Sequence, residues 1–229
     1  MTTSLKLIVA ALLFIFSSTV AVYTQEIPSQ PTDENSGVQT DPSPYKLEKG
    51  RNEFRIWAGA GPSFGKFTGL SRDESDGRAM AMIGLRYGRV LYSGNNFAFQ
   101  YAVDAIPLVI ASNNVVRRDT SPSTRSRETT YGAGFNPVGL KGIFKPRSRI
   151  KPFVGVNLGV LYFNKQFPVP DSSRLNFNSE LDGGIMIFNR SRRAITLGAK
   201  FSHISNASTG NLNPGLNTVL FYAGYSTFR

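Results

Sequence analysis

The 229-residue chain has no cysteine and only one histidine, His203. The first absence excludes disulfides, thiolate nucleophiles, Cys-ligated zinc and a lipidated cysteine. The second means that any Ser–His chemistry must use His203. Long apolar runs are also missing. Lys6 is followed by the run Leu7 to Phe16, then by Thr19-Val20-Ala21, and ten residues are too few for a helical span, which needs about 20. Charge, apolar core and small-residue exit read as a secretory leader over 1–21, cleaved after Ala21 or after Thr24. Acidic residues are scarce, 15 against 26 Lys and Arg, for a net charge of +11. That balance would suit nucleic acid, but its distribution argues otherwise. Lys145, Arg147, Arg149 and Lys151 crowd one short connection and Arg190, Arg192 and Arg193 another, both between apolar segments. For an exported chain the fitting partner is an anionic lipid surface, worth about 1 kcal/mol per nearby basic residue.

From Gln25 to about Tyr45 the chain is rich in Pro, Ser, Thr and Asp and nearly devoid of apolar side chains. It cannot bury enough surface to order itself, so residues 22–49 are expected to form a disordered periplasmic tail. From residue 50 to 229 the texture is that of a single all-β domain. Eight candidate strands lie near 52–62, 78–91, 97–110, 131–144, 151–163, 174–188, 194–206 and 217–228. Long connections at about 63–77, 111–130, 164–173 and 207–216 alternate with tight ones at 93–96, 145–150 and 189–193. Alternating long loops and short turns mark an eight-stranded antiparallel up-and-down transmembrane barrel of a bacterial outer membrane, and each segment exceeds the 9–11 residues that a tilted strand needs to span.

Side-chain alternation sharpens this expectation. Phe97, Phe99, Tyr101, Val103 and Ala105 share one face of the third segment, with Ala98, Gln100, Ala102 and Asp104 on the other. Val154 to Tyr162 and Leu175 to Ile187 repeat the pattern. The apolar rows should meet lipid and the polar rows the lumen. Mid-strand charges on the inner faces are Arg86, Lys141 and Lys200 against Asp104, Glu180 and Asp182, three of each sign, as mutual pairing in a lumen filled by side chains requires. A soluble, lipocalin-like barrel is the alternative, but its lumen is too small for so many aromatics. Only the first strand is ambiguous, because Trp57 and its apolar neighbours fall on opposite faces. The end of the chain, Leu220 to Phe228 followed by Arg229, resembles the aromatic closing strand of outer-membrane proteins.

The candidate chemistry sits in Ser202-His203-Ile204-Ser205-Asn206-Ala207. Residues two apart on a strand point the same way, so His203 and Ser205 project side by side, and an imidazole there could take the serine proton. They continue the lipid-facing row of Ile195, Leu197, Ala199 and Phe201. Pattern alone leaves open a polar barrel rim instead of a catalytic pair. Other signals are weaker. Gly59 to Gly65 resembles a phosphate loop without the helix that should follow. Asp73, Glu74 and Asp76 could hold a cation but read as a solvated loop. Arg117, Arg118, Arg125 and Arg127 could meet phosphates or simply face water.

His203 to Ala207, followed by Asn213-Pro214-Gly215 and the aromatic closing strand, resembles the lipid A 3-O-deacylase (acyloxyacyl hydrolase-like) family of outer-membrane barrels. The likeness is specific from Phe201 to Ser226 and architectural elsewhere. It implies a carboxylic ester hydrolase acting on lipid A of lipopolysaccharide in the outer membrane, with no metal or organic cofactor. Ser205 then corresponds to the nucleophile, His203 to the general base and Asn206 to an oxyanion-stabilising residue. Asn217 falls where the family carries a glutamate that orients the histidine. Its carbonyl can accept the imidazole N–H, as in Cys–His–Asn enzymes, but cannot supply full charge. The competing expectation is a non-catalytic outer-membrane barrel binding envelope lipid or a surface partner through its loops.

Overall fold

A computed structural model describes residues 43–65, 68–117 and 124–229. The expected leader and the tail up to residue 42 lie outside the described residues. Eight strands, β1 (Asn52–Phe64), β2 (Arg78–Ser93), β3 (Phe97–Arg117), β4 (Thr124–Phe144), β5 (Ile150–Phe163), β6 (Leu175–Arg190), β7 (Arg193–Ser205) and β8 (Leu216–Phe228), form an all-antiparallel barrel in sequence order. β8 pairs back onto β1 through Glu53↔Phe228 to Phe64↔Asn217. Closure leaves no unpaired strand edge. One short helix, α1 (Arg72–Ser75), sits in the β1–β2 connection.

The alternation sets the phase of every strand. Ile56, Leu85, Val154, Leu158, Leu181 and Phe221 stand on the outer wall, and Phe221 is 65% exposed. Apolar surface this extensive marks a membrane contact. Inward rows are polar at mid-height. Arg86 makes a paired contact with Asp104 (Nε to Oδ1 2.8 Å, second guanidinium nitrogen to Oδ2 2.6 Å) and reaches Asp182 at 3.4 Å. Lys200 meets Glu180 at 2.8 Å and Asp104 at 3.7 Å, and lies 4.1 Å from the Trp57 ring centre. Glu53 and Arg55, 2.6 Å apart, join the set, with Lys141 3.3 Å from Glu53. The ambiguity of β1 resolves here. Trp57 points inward over Gly84, where the Cβ of any other residue would collide with the indole, and the same phase turns Glu53 and Arg55 into the lumen.

Apolar side chains seal both ends of this ionic layer. Phe153, Met186, Phe188 and Phe228 fill the short-turn end, and Met82, Leu161, Phe163 and Ile204 the long-loop end. Two sequence expectations need correcting. The tail was expected to lack structure as far as residue 49, yet Leu47 is fully buried, its N–H donating to Pro146 O at 2.9 Å and its carbonyl accepting from Ser93 Oγ. Lys151 turns inward to donate to Tyr45 O at 2.8 Å. Residues 43–51 thus cross the short-turn mouth, because one leucine and a run of backbone bonds suffice to dock a segment whose composition reads as solvated. The long loop expected over 111–130 is also shorter, since β3 and β4 stay paired out to Arg117↔Thr124. A hairpin arm held by its own ladder needs no buried face, so its apolar alternation fades while its pairing continues.

Removing one member of the ionic layer should be costly. Arg86→Met strands Asp104 and Asp182 in the lumen and is expected to cost about 3–5 kcal/mol in urea unfolding of the detergent-solubilised barrel. The outward control Ser179→Ala should stay within about 0.5 kcal/mol of wild type.

Candidate active site

β7 and β8 bring His203 directly opposite Asn217 in the ladder. Both occupy outward rows, as do Ser205 and Phe201, while Ser202, Ile204, Leu216 and Thr218 point inward and are buried. His203 Nδ1 lies 2.8 Å from Asn217 Oδ1. A carbonyl oxygen only accepts, so Nδ1 carries the proton, which in the neutral ring leaves the lone pair on Nε2. Gly215 lies against the other edge of the ring, where an added Cβ would come 2.8 Å from Cε1 and 3.4 Å from Nε2. Phe64, the β1 ladder partner of Asn217, has its ring centre 6.3 Å from that of Phe201. Ser205 follows two residues after His203 in the same row and is half-buried. Among the described residues no hydrogen bond joins its hydroxyl to the imidazole.

Asn206 takes a different place from the one expected of an oxyanion donor. Its side chain turns inward, 1% exposed, and both its N–H groups are engaged, with Leu212 O at 2.7 Å and Ser172 Oγ at 3.1 Å. Its Oδ1 accepts from Ser208 N at 2.9 Å, and its own N–H donates to Asn213 Oδ1 at 2.9 Å. Asn206 is the first residue past β7, and loop atoms hold its amide through both Nδ2 hydrogens and Oδ1. It staples the 206–215 loop instead. There Ala207 and Ser208 hold left-handed backbone, φ 50° and 65°, a conformation costing about 1–2 kcal/mol per non-glycine residue. Gly215 N donates to Thr68 O at 2.9 Å, tying the loop to the β1–β2 connection. Sequence reasoning missed the parts played by Ser172, Phe64 and Thr68. All three are remote in sequence and carry no motif.

The weaker signals resolve as scaffold. Gly59 to Phe64 is part of β1. Glu74 accepts from Ser71 N and Oγ at 3.0 and 2.7 Å while Ser71 Oγ accepts from Glu74 N, a capping box on α1. Arg127 donates to Gly77 O at 3.0 Å. Arg118 and the side chains of Arg117 and Arg125 lie outside the described residues. Among the described residues no group of three or more His, Asp or Glu is arranged to hold a metal.

A family model described as lipid A 3-O-deacylase (PagL) matches residues 111–226, half of the chain, including Ser172, His203, Ser205, Asn206, Gly215 and Asn217. The chain belongs to the lipid A 3-O-deacylase family. The crystal structure of the outer membrane enzyme PagL superposes with a TM-score of 0.53 at 18% identity, covering 74% of this chain and 97% of that one. Outer membrane protein OprG from Pseudomonas aeruginosa gives 0.50 at 10% identity, over 81% and 98% of the two chains. At such identities these likenesses speak for the fold, an outer-membrane barrel. No curated protein sequence matches the chain. Within the deacylase family this member pairs its histidine with a neutral amide.

Because the histidine is unique, its ring nitrogens give isolated signals in ¹⁵N spectra of labelled protein. Wild type is expected to show the Nδ1–H tautomer, and Asn217→Leu should shift the population toward Nε2–H. An unchanged tautomer ratio would contradict the hydrogen bond.

Proposed function

We propose that the chain is a serine esterase that removes an ester-linked acyl chain, at the 3-O position, from lipid A of lipopolysaccharide in the outer leaflet. The observation that carries this reading is the His203–Asn217 hydrogen bond on the outer wall, with Ser205 next in the same row. Polar side chains such as His203 and Ser205 in a lipid-facing row are costly unless they serve a substrate reaching them from the bilayer.

In this mechanism Ser205 Oγ attacks the ester carbonyl while its proton passes to His203 Nε2. The tetrahedral oxyanion collapses, expelling the sugar alkoxide, which takes the proton from Nε2 as it leaves. Water then attacks the acyl-serine, His203 again accepts a proton, and collapse releases the fatty acid and restores the hydroxyl. Catalytic hydrogen bonds often close only once substrate is bound. Asn217 holds the imidazole by its carbonyl and gives its cationic form less support than a carboxylate would. With the Asn206 side chain committed to the loop, the oxyanion falls to the backbone N–H of Ala207, which has no partner among the described residues, and to Asn213, whose Nδ2 makes only a long 3.4 Å contact with Ser208 Oγ. A second reading, a barrel that binds envelope lipid without turnover, draws on the open Ser205–His203 gap and the missing carboxylate.

Mass spectrometry of lipid A from outer membranes containing the protein separates the two. Wild type should convert lipid A to a species lacking one acyl chain, and Ser205→Ala or His203→Ala should reduce conversion by about 10⁴-fold. Identical spectra from all three would leave the lipid-binding barrel. Gly215→Ala pushes on the imidazole without touching the lumen, so kcat is expected to fall about 10²-fold while barrel stability holds.

A further inference from the structure

At the end of the barrel opposite His203, exposed cations gather without counter-charge. Arg147 and Arg149 lie in or beside the β4–β5 turn, and Arg190, Arg192 and Arg193 form the β6–β7 turn, all exposed. Arg190 and Arg193 face each other directly in the ladder, a like-charge arrangement that destabilises a sheet unless something anionic sits between. Arg149 Nε donates to Phe188 O at 3.1 Å, which holds that guanidinium beside the end of β6 with its other nitrogens free of protein partners among the described residues. Glu48, the acid at this mouth, is taken up by Lys46 and Arg51 at 3.7 and 4.0 Å. Among the described residues no carboxylate pairs with Arg147, Arg149, Arg190, Arg192 or Arg193.

Directly next to these cations runs a band of outward apolar side chains. Ile150, Ile187, Ile195 and Tyr225 are consecutive ladder partners across β5, β6, β7 and β8. Arg149 precedes Ile150, and Arg193 lies two residues before Ile195 in the same outward row. The apolar band ends where the guanidinium groups begin. This order matches a lipid leaflet, acyl chains first and phosphates at the level of the arginines. In an outer-membrane barrel the short turns face the periplasm, so the leaflet is the inner one.

We propose that the β4–β5 and β6–β7 turns form a docking surface for anionic phospholipid headgroups of the inner leaflet. Arg149, Arg190 and Arg193 clamp the phosphodiester, for which the planar guanidinium fork is suited. The bound anion relieves the Arg190–Arg193 repulsion, and the acyl chains lie on the Ile150–Tyr225 band. Lys151 takes no part, since it is turned into the lumen. The surface stands independently of the deacylase reading.

Native mass spectrometry of the full chain in mild detergent tests this with phosphatidylglycerol, phosphatidylethanolamine and phosphatidylcholine of identical acyl composition. Wild type should retain phosphatidylglycerol in preference to both others, and inorganic phosphate in excess should not displace it. The triple variant Arg149→Gln/Arg190→Gln/Arg193→Gln should lose that preference by roughly tenfold or more, while lysine at the same three positions keeps most of it. Heat-modifiable gel mobility reports whether each variant is folded. If the triple variant fails to fold, Arg190→Gln and Arg193→Gln singly should each lower the preference by about fivefold. Equal retention of the three lipids by wild type, undiminished preference in the folded glutamine variants, or displacement by inorganic phosphate would each overturn the proposal.

Discussion

The ion pairs of the lumen are the constraint on which the rest of the molecule rests. Glu53, Arg55, Arg86, Asp104, Lys141, Glu180, Asp182 and Lys200 sit on six different strands and are all nearly or fully buried. Each pair closes only in one register, because a slip of one residue would throw every charge into the membrane and every outward leucine into the lumen. Burying such charges gives little net stability by itself. What it supplies is a unique phase for each strand. The outer wall inherits that phase, which is why a histidine and a serine at odd positions of β7 stand outside while Ser202 and Ile204 stand within.

The candidate site uses the same logic at its edge. Asn217 belongs to an outward row yet is buried, with Phe64 beside it in the ladder and His203 on its other side. An uncharged partner suits that burial, since a carboxylate excluded from water would need a permanent cation nearby. The imidazole is thereby held in one tautomer at lower electrostatic cost, with less support for its protonated form. The loop that completes the surroundings is organised by Asn206, whose six hydrogen bonds offset the left-handed backbone at Ala207 and Ser208.

Much of this was legible from residues alone, for reasons that can be named. Strands β3, β5 and β6 carry two-residue alternation, so both their faces could be assigned, and with them Asp104, Glu180 and Asp182; Arg86, Lys141 and Lys200 followed from the same alternation on β2, β4 and β7. The Glu53–Arg55 pair escaped because Trp57, a large aromatic pointing inward, masks the phase of β1. The docking of Leu47 escaped because a single buried side chain leaves no periodic trace. His203 and Ser205 could be grouped from their spacing on one strand, and Asn217 joined them through the resemblance to the deacylase family. The inward turn of Asn206 did not follow, because the residue lies just past the end of β7, where the resemblance implies an oxyanion donor. Nor did its partner Ser172, because loop-to-loop contacts between β5–β6 and β7–β8 obey no local rule.

An imidazole on the outside of a barrel changes the dimensionality of encounter. Whatever meets His203 arrives by lateral diffusion within the leaflet, so the relevant concentration is a surface density and the local viscosity is that of packed acyl chains. A hydrophobic molecule leaving that surface is already dissolved in its final solvent and has no aqueous step to cross. Occupancy of the site will therefore track the composition and fluidity of the surrounding monolayer more closely than anything dissolved on either side of it.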